Sequence, residues 1–256
     1  MKHAVRVLEH QLLVYRRTWR GGLFTTFLAP VMFLLAMGLG LGTFVDSSTS
    51  GGMDGVPYLV FLAPGLLASQ AMQTAAGESM YPIMSAITWN RTFQSMISTP
   101  ITAMHVVFGT SLWMVVRLTI VSVAFVIVMV IFGATDILRG IAMVPVAVLT
   151  GLAFALPIMA YTVTRRGDAS FPAITRFIIT PLFIFSGVFF PVTELPTFLQ
   201  PIAYVTPLWN GVSLARGIAI GTIDVPLALA NVAVLFAYCA VGLLAAMRTF
   251  PRRLVQ

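Results

Sequence analysis

Charge is what this sequence has least of. Only 9% of its 256 residues are Asp, Glu, Lys or Arg, where a soluble domain carries about 25%. With 59% hydrophobic residues and a mean hydropathy of +0.96, too few charges remain to clothe a water-facing surface. That excludes a soluble enzyme and a soluble nucleic-acid module. Cysteine is nearly absent too. Cys239 stands alone in the last apolar run, so there is no intrachain disulfide and no CxxC redox or metal site. Lys2 is the only lysine, so no GxxxxGK[ST] phosphate loop exists and ATP is not bound in that manner. His3, His10 and His105 are scattered, and no HExxH or His/carboxylate metal site is expected.

What the chain has is long apolar runs. A helix crossing about 30 Å of hydrocarbon needs roughly 20 apolar residues, and six such runs can be placed, at 23–45, 58–77, 104–132, 137–164, 174–190 and 225–247. The expected fold is a single all-α transmembrane domain of six helices. Residues 1–22 are read as an N-terminal interfacial helix: Val5, Leu8, Leu12, Tyr15 and Trp19 share one face, with Arg6, Glu9, Arg16, Arg17 and Arg20 largely off it. Gly38 and Gly42 form a small-xxx-small pair suited to helix or dimer packing. A Ser/Gly-rich acidic loop is expected over 46–56. Residues 81–97 form a second amphipathic segment, with Trp89, Phe93, Met96 and Ile97 on one face and Arg91, Gln94 and Ser98 opposite. Over 191–224, Pro191, Pro196, Pro201 and Pro207 interrupt an apolar stretch, which suits re-entrant half-helices better than a solvated loop.

The net charge of +7 orients these spans. With both termini inside, twelve of the fifteen basic residues face the cytoplasm, Arg139 and Arg216 lie outside, and Arg117 falls within a span. The reverse orientation violates the positive-inside rule. The eight acidic residues, Glu9, Asp46, Asp54, Glu78, Asp136, Asp168, Glu194 and Asp224, all fall at or beyond the expected span ends. Ion-coupled carriers place carboxylates inside the membrane, so that class is poorly supported and an external energy source is needed.

Few polar groups interrupt the spans. Gln70, Gln73 and Gly77 make a stripe on the second, either for interhelical hydrogen bonds or as a wall of a substrate cavity. Arg117 either snorkels or bonds between helices, or belongs to the pathway. Phe183, Phe185, Phe189 and Phe190 either face lipid or line a path for an amphiphile.

The strings PVMFLLAMGLGLG (30–42), YLVFLAPGLLASQAM (58–72), STPITAMHVVFGTSLWMVVR (98–117) and FSGVFFPVTELP (185–196) resemble the permease subunits of type-2 ATP-binding-cassette exporters. They are most similar to the nodulation-factor (lipo-oligosaccharide) subgroup, with daunorubicin-type drug exporters as relatives. The stretch PLWNGVSLARG (207–217) departs from that pattern, since such permeases often carry a His near Asn210.

The resemblance implies a multi-pass protein of the bacterial inner membrane, both termini cytoplasmic, moving an amphiphile outward. It implies a coupling helix at 81–97, with Glu78, Trp89, Asn90 and Arg91 as polar or surface contacts to a separate nucleotide-binding ATPase present in two copies. ATP and Mg would be bound there, no cofactor being expected in this chain. A second permease, identical or paralogous, and membrane lipids are the other expected partners, and nucleic acid is not. Gln70, Gln73, Phe185, Phe189 and Phe190 are the expected path residues. The competing classes are an ion-coupled carrier and a non-transport membrane scaffold.

Overall fold

The computed structural model describes residues 2–48 and 55–254. Among them the chain is helical throughout, with no β-strand element. Helix α1 occupies 2–48 as Lys2–Phe33, a π-helical stretch Leu34–Leu41, and Gly42–Ser48. The expected break between an interfacial helix and the first span is missing, since the backbone stays helical through Gly21 and Gly22. The apolar window within α1 is Pro30–Ser47. Most of the loop expected at 46–56 lies outside the described residues. The side-chain carboxylate of Asp46 nevertheless accepts the Tyr58 N–H at 2.9 Å, which ties the end of α1 to the start of α2.

Helix α2 runs Tyr58–Trp89, twelve residues past the end expected from hydropathy. It is followed by the short α3 (Thr92–Ile97). Helix α4 (Ala103–Ile131) opens with a capping box. The Thr102 hydroxyl accepts the His105 N–H, and His105 Nδ1 accepts the Thr102 N–H, satisfying two donors that a helix start leaves orphaned. Helix α5 spans Ile137–Thr164 and α9 spans Val225–Leu254. These two pack on each other more extensively than any other pair, and α2 packs on α5 almost as extensively.

Among the described residues, five helices are long and apolar enough to cross a membrane. The run expected at 174–190 is instead the shorter α6, Phe171–Phe185, which at 1.5 Å per residue is about 22 Å long. It stops because Ser186–Phe190 forms a turn in which Gly187 takes φ +78, a conformation that costs glycine little and other residues more. The proline-broken stretch then holds a 3-10 turn at Val192–Glu194, α7 (Gln200–Val205) and α8 (Pro207–Ile220). Thr206 caps α8 by accepting the Trp209 N–H, and Pro207 occupies its first turn. The bend between α7 and α8 sits at the middle of the long helices. A Cβ on Gly211 would collide with Thr150, midway along α5, and the Tyr238 hydroxyl on α9 donates to the Val205 carbonyl at 3.3 Å.

Candidate functional site

A cavity of about 460 Å³ opens between α1, α2 and α4, at the end of the bundle that holds α3. Its floor is an ion pair. Arg117 Nε donates to Glu78 Oε1 at 2.9 Å, with the two side chains 12% and 25% exposed. Arg117 Nη1 also donates to the Tyr15 hydroxyl at 3.3 Å, its guanidinium lies 5.1 Å from the Tyr15 ring centre, and that ring packs on Trp113 at 5.5 Å. One guanidinium thus ties the N-terminal helix, α2 and α4 together. A charged donor and acceptor give a hydrogen bond of about 1.5–3 kcal/mol net. The pairing also neutralises two groups that would each be costly alone in an apolar bundle.

Glu78 was expected beyond the end of the second span. Because α2 continues to Trp89, it lies within a helix, eleven residues before the helix end. The nine residues 81–89, expected as the first part of a separate amphipathic helix, belong to α2. The break comes at Arg91, a non-glycine residue with φ +50. Asn90 lines the cavity and donates to the Ser85 hydroxyl at 2.9 Å, while Gln94 Nε2 donates to the Ile87 carbonyl at 2.7 Å and closes the turn. The turn also undoes the shared face read from spacing. Phe93 is buried against Phe250 of α9, whereas Trp89 is 57% exposed. Of the expected coupling residues, Glu78 and Asn90 meet in the cavity, and Trp89 and Arg91 stand on the exposed tip beside it.

The N-terminal helix packs only partly by the face its periodicity marks. Val7 is fully buried, seated where a Cβ on Gly109 of α4 would collide. Of the apolar stripe, Tyr15 turns into the cavity against Trp113 and Arg117, while Val5, Leu12 and Trp19 remain exposed.

At the opposite end, two of the quoted strings meet. Gly65 of FLAPGL lies under the FSGVFFP turn, and a Cβ there would sit 3.1 Å from both Val188 Cα and its carbonyl oxygen. Arg216 of α8 fastens the contact by donating to the Phe61 carbonyl at 3.2 Å and the Gly187 carbonyl at 2.8 Å, with its guanidinium 3.7 Å from the Phe61 ring centre. Sequence reading assigned Arg216 only to a side of the membrane.

The expected path residues divide. Gln70 and Gln73 edge a narrow crevice with Phe33 and Phe183. Phe189 stacks edge-on with Phe183 at 5.0 Å, and Phe33 does the same at 6.0 Å. Phe185 is exposed elsewhere on α6, and Phe190 packs on the Val192, Leu195 and Ala203 cluster with Trp209. Gly38 and Gly42 face Leu59 and Tyr58 at the start of α2, a packing role within one chain.

The sequence profile described as "ABC-2 type transporter" matches residues 4–220. The chain belongs to the ABC-2 type transporter family. Nodulation protein J of Rhizobium leguminosarum bv. viciae is 32% identical over 252 residues, covering 96% of this chain and 95% of the relative. Nodulation protein J of Rhizobium meliloti is 27% identical, with 98% and 94% covered. The inner membrane transport permease YadH of Escherichia coli is 24% identical, with 79% and 78% covered. As an ABC-2 permease it is a multi-pass membrane transport subunit of an ABC exporter, and membership implies an ATPase partner.

Proposed function

We propose that this ABC-2 permease forms half of a bacterial inner-membrane exporter for an amphiphile, a lipo-oligosaccharide or a hydrophobic drug. Two copies, or this chain and a paralogue, pair with two separate ATPase subunits that bind ATP and Mg. Both termini face the cytoplasm, and α6 with its Ser186–Phe190 turn acts as the sixth crossing. The arginine bias toward one side supports that orientation.

The observation that carries the reading is the Glu78–Arg117–Tyr15 cluster beneath the α2–α3 turn. A push delivered by the ATPase on Trp89 and Arg91 at the exposed tip moves the end of α2. The ion pair passes that displacement to α4 and the N-terminal helix as one body. Catalysis belongs to the partner, and this chain contributes no hydrolytic group. Substrate leaves past the Gln70, Gln73, Phe183 and Phe189 edge when the Gly65–Val188 contact opens. The test is purification with the ATPase: hydrolysis stimulated by the permease and lost in E78Q supports the reading. Full stimulation in E78Q counts against this route of coupling.

A further inference from the structure

A second concavity, larger and nearly all apolar, lies between α5, α6 and the bend from α7 to α8. Its volume is about 880 Å³. Phe154, Pro157 and Tyr161 of α5 form one wall, Ile178 and Leu182 of α6 the other, and Val205 of the re-entrant bend closes one end. Pro157 shapes the first wall, since a proline within a helix removes a backbone donor and bends the axis.

Three properties of this groove point to one occupant. Its depth is that of a single leaflet. The lining on α5 runs from Ala153 to Tyr161, about 12 Å of helix at 1.5 Å per residue, and the Arg165 mouth lies one turn beyond, together about half of a hydrocarbon core about 30 Å thick. Its closed end lies at mid-membrane, because the α7–α8 bend sits against the middles of α5 and α9 through Thr150 and Tyr238. Its open end is cationic. The Arg165 guanidinium rests 4.3 Å from the ring centre of Tyr161, a wall residue, and Arg166 follows it. Among the described residues neither arginine has a carboxylate within 4.0 Å, the loop's Asp168 included. An apolar slot one leaflet deep with unpaired arginines at its mouth matches a phospholipid with a negative headgroup: an acyl chain in the slot, the phosphate on the guanidinium groups.

We infer that this groove binds an anionic phospholipid of the inner leaflet as a resident ligand. The inference rests on the orientation proposed above, which puts the turn carrying Arg165 and Arg166 on the cytoplasmic side. Tyr161 links the two halves of the site, because its ring both lines the slot and holds Arg165 over the mouth. A neutral zwitterionic lipid fills the slot equally well but gains nothing net at the arginines.

The test is native mass spectrometry of the full-length purified chain, equilibrated in detergent with equal amounts of phosphatidylglycerol and phosphatidylcholine. Wild type retains phosphatidylglycerol in preference, by roughly fivefold for each arginine engaged. R165Q/R166Q equalises the two lipids while leaving total bound lipid unchanged. I178W, on an exposed residue of the wall, fills the slot and lowers retention of both. Equal retention by wild type overturns the inference, as does a preference that survives R165Q/R166Q. It is also overturned if a cysteine at position 178 cross-links two copies and excludes lipid, since the slot would then be an interface. No ATPase takes part, so failure here leaves the coupling proposal intact, and failed coupling with lipid still retained strikes only that proposal.

Discussion

Arg117 and Glu78 are 39 residues apart in sequence and 2.9 Å apart in the fold, and Tyr15 from the N-terminal helix completes their contact. Neither partner is fully buried, so each keeps some hydration, and the pair is best regarded as a joint between helices. It fixes the relative positions of three elements, and among the described residues it is the one ion pair between them.

Breaking that joint separates coupling from insertion. R117L leaves Glu78 without its counter-charge in an apolar bundle, at a cost of about 3–5 kcal/mol were the pair fully buried, and less here because Glu78 is a quarter exposed. A lowered Tm and export loss are expected for R117L and for E78L. The charge swap E78R/R117E recovers part of both. Thermal unfolding alongside export assays checks this, and equal defects in the swap and the single variants would show that the pairing itself does not matter.

The exposed tip tests a contact with the partner. R91G removes the guanidinium while easing the left-handed backbone at φ +50, so folding is retained. W89A removes an exposed ring and changes stability by about 0.5 kcal/mol or less. Both variants are expected to hydrolyse ATP with the partner bound but to export poorly. Normal export by the double variant would remove the tip from the coupling surface.

Two glycines give opposite forecasts. G65A places a methyl 3.1 Å from the Val188 backbone, which cannot rotate aside, and overpacking of this kind costs about 1–3 kcal/mol. G38A meets only the tip of the Leu59 side chain, which moves to another rotamer. A clear drop in Tm for G65A and a small one for G38A is expected. The reverse order would place the tight contact at Leu59 instead of Val188.

Arg216 holds the turn that ends α6. R216L leaves the Gly187 and Phe61 carbonyls without that donor, and amide exchange should rise over residues 186–190 while α5 stays protected. R216K restores charge without the planar fork and should remain defective.

The path is tested at Gln70 and Gln73. Replacing both with Leu is expected to shift which amphiphiles are exported while the chain still assembles. Failed assembly with an unchanged range would show that the two glutamines pack helices instead.

Hydropathy made most of the apolar helices legible, and the prolines of 191–224 marked where that stretch is split into short helices. Helix ends were less legible. Glu78 is too polar to extend a hydropathy run, yet the helix continues past it to Trp89 because Arg117 neutralises it, and Tyr81 packs edge-on against Phe171. The apolar stripe of the N-terminal helix was visible, but Val7 lies off it and is selected by the notch at Gly109. Glu78 and Arg117 were each conspicuous as polar residues. Their pairing depends on tertiary approach across 39 residues, which no spacing rule encodes. Likewise FLAPGL and FSGVFFP stood out as strings, and only the fold brings Gly65 against Val188.

The most direct measurement reconstitutes the purified chain into liposomes with its ATPase partner and follows an amphiphile under three conditions: ATP, a proton gradient, and neither. An exporter permease driven from outside the chain moves substrate only with ATP and the partner present, and E78Q reduces that movement. Transport by this chain alone under a proton gradient would contradict it.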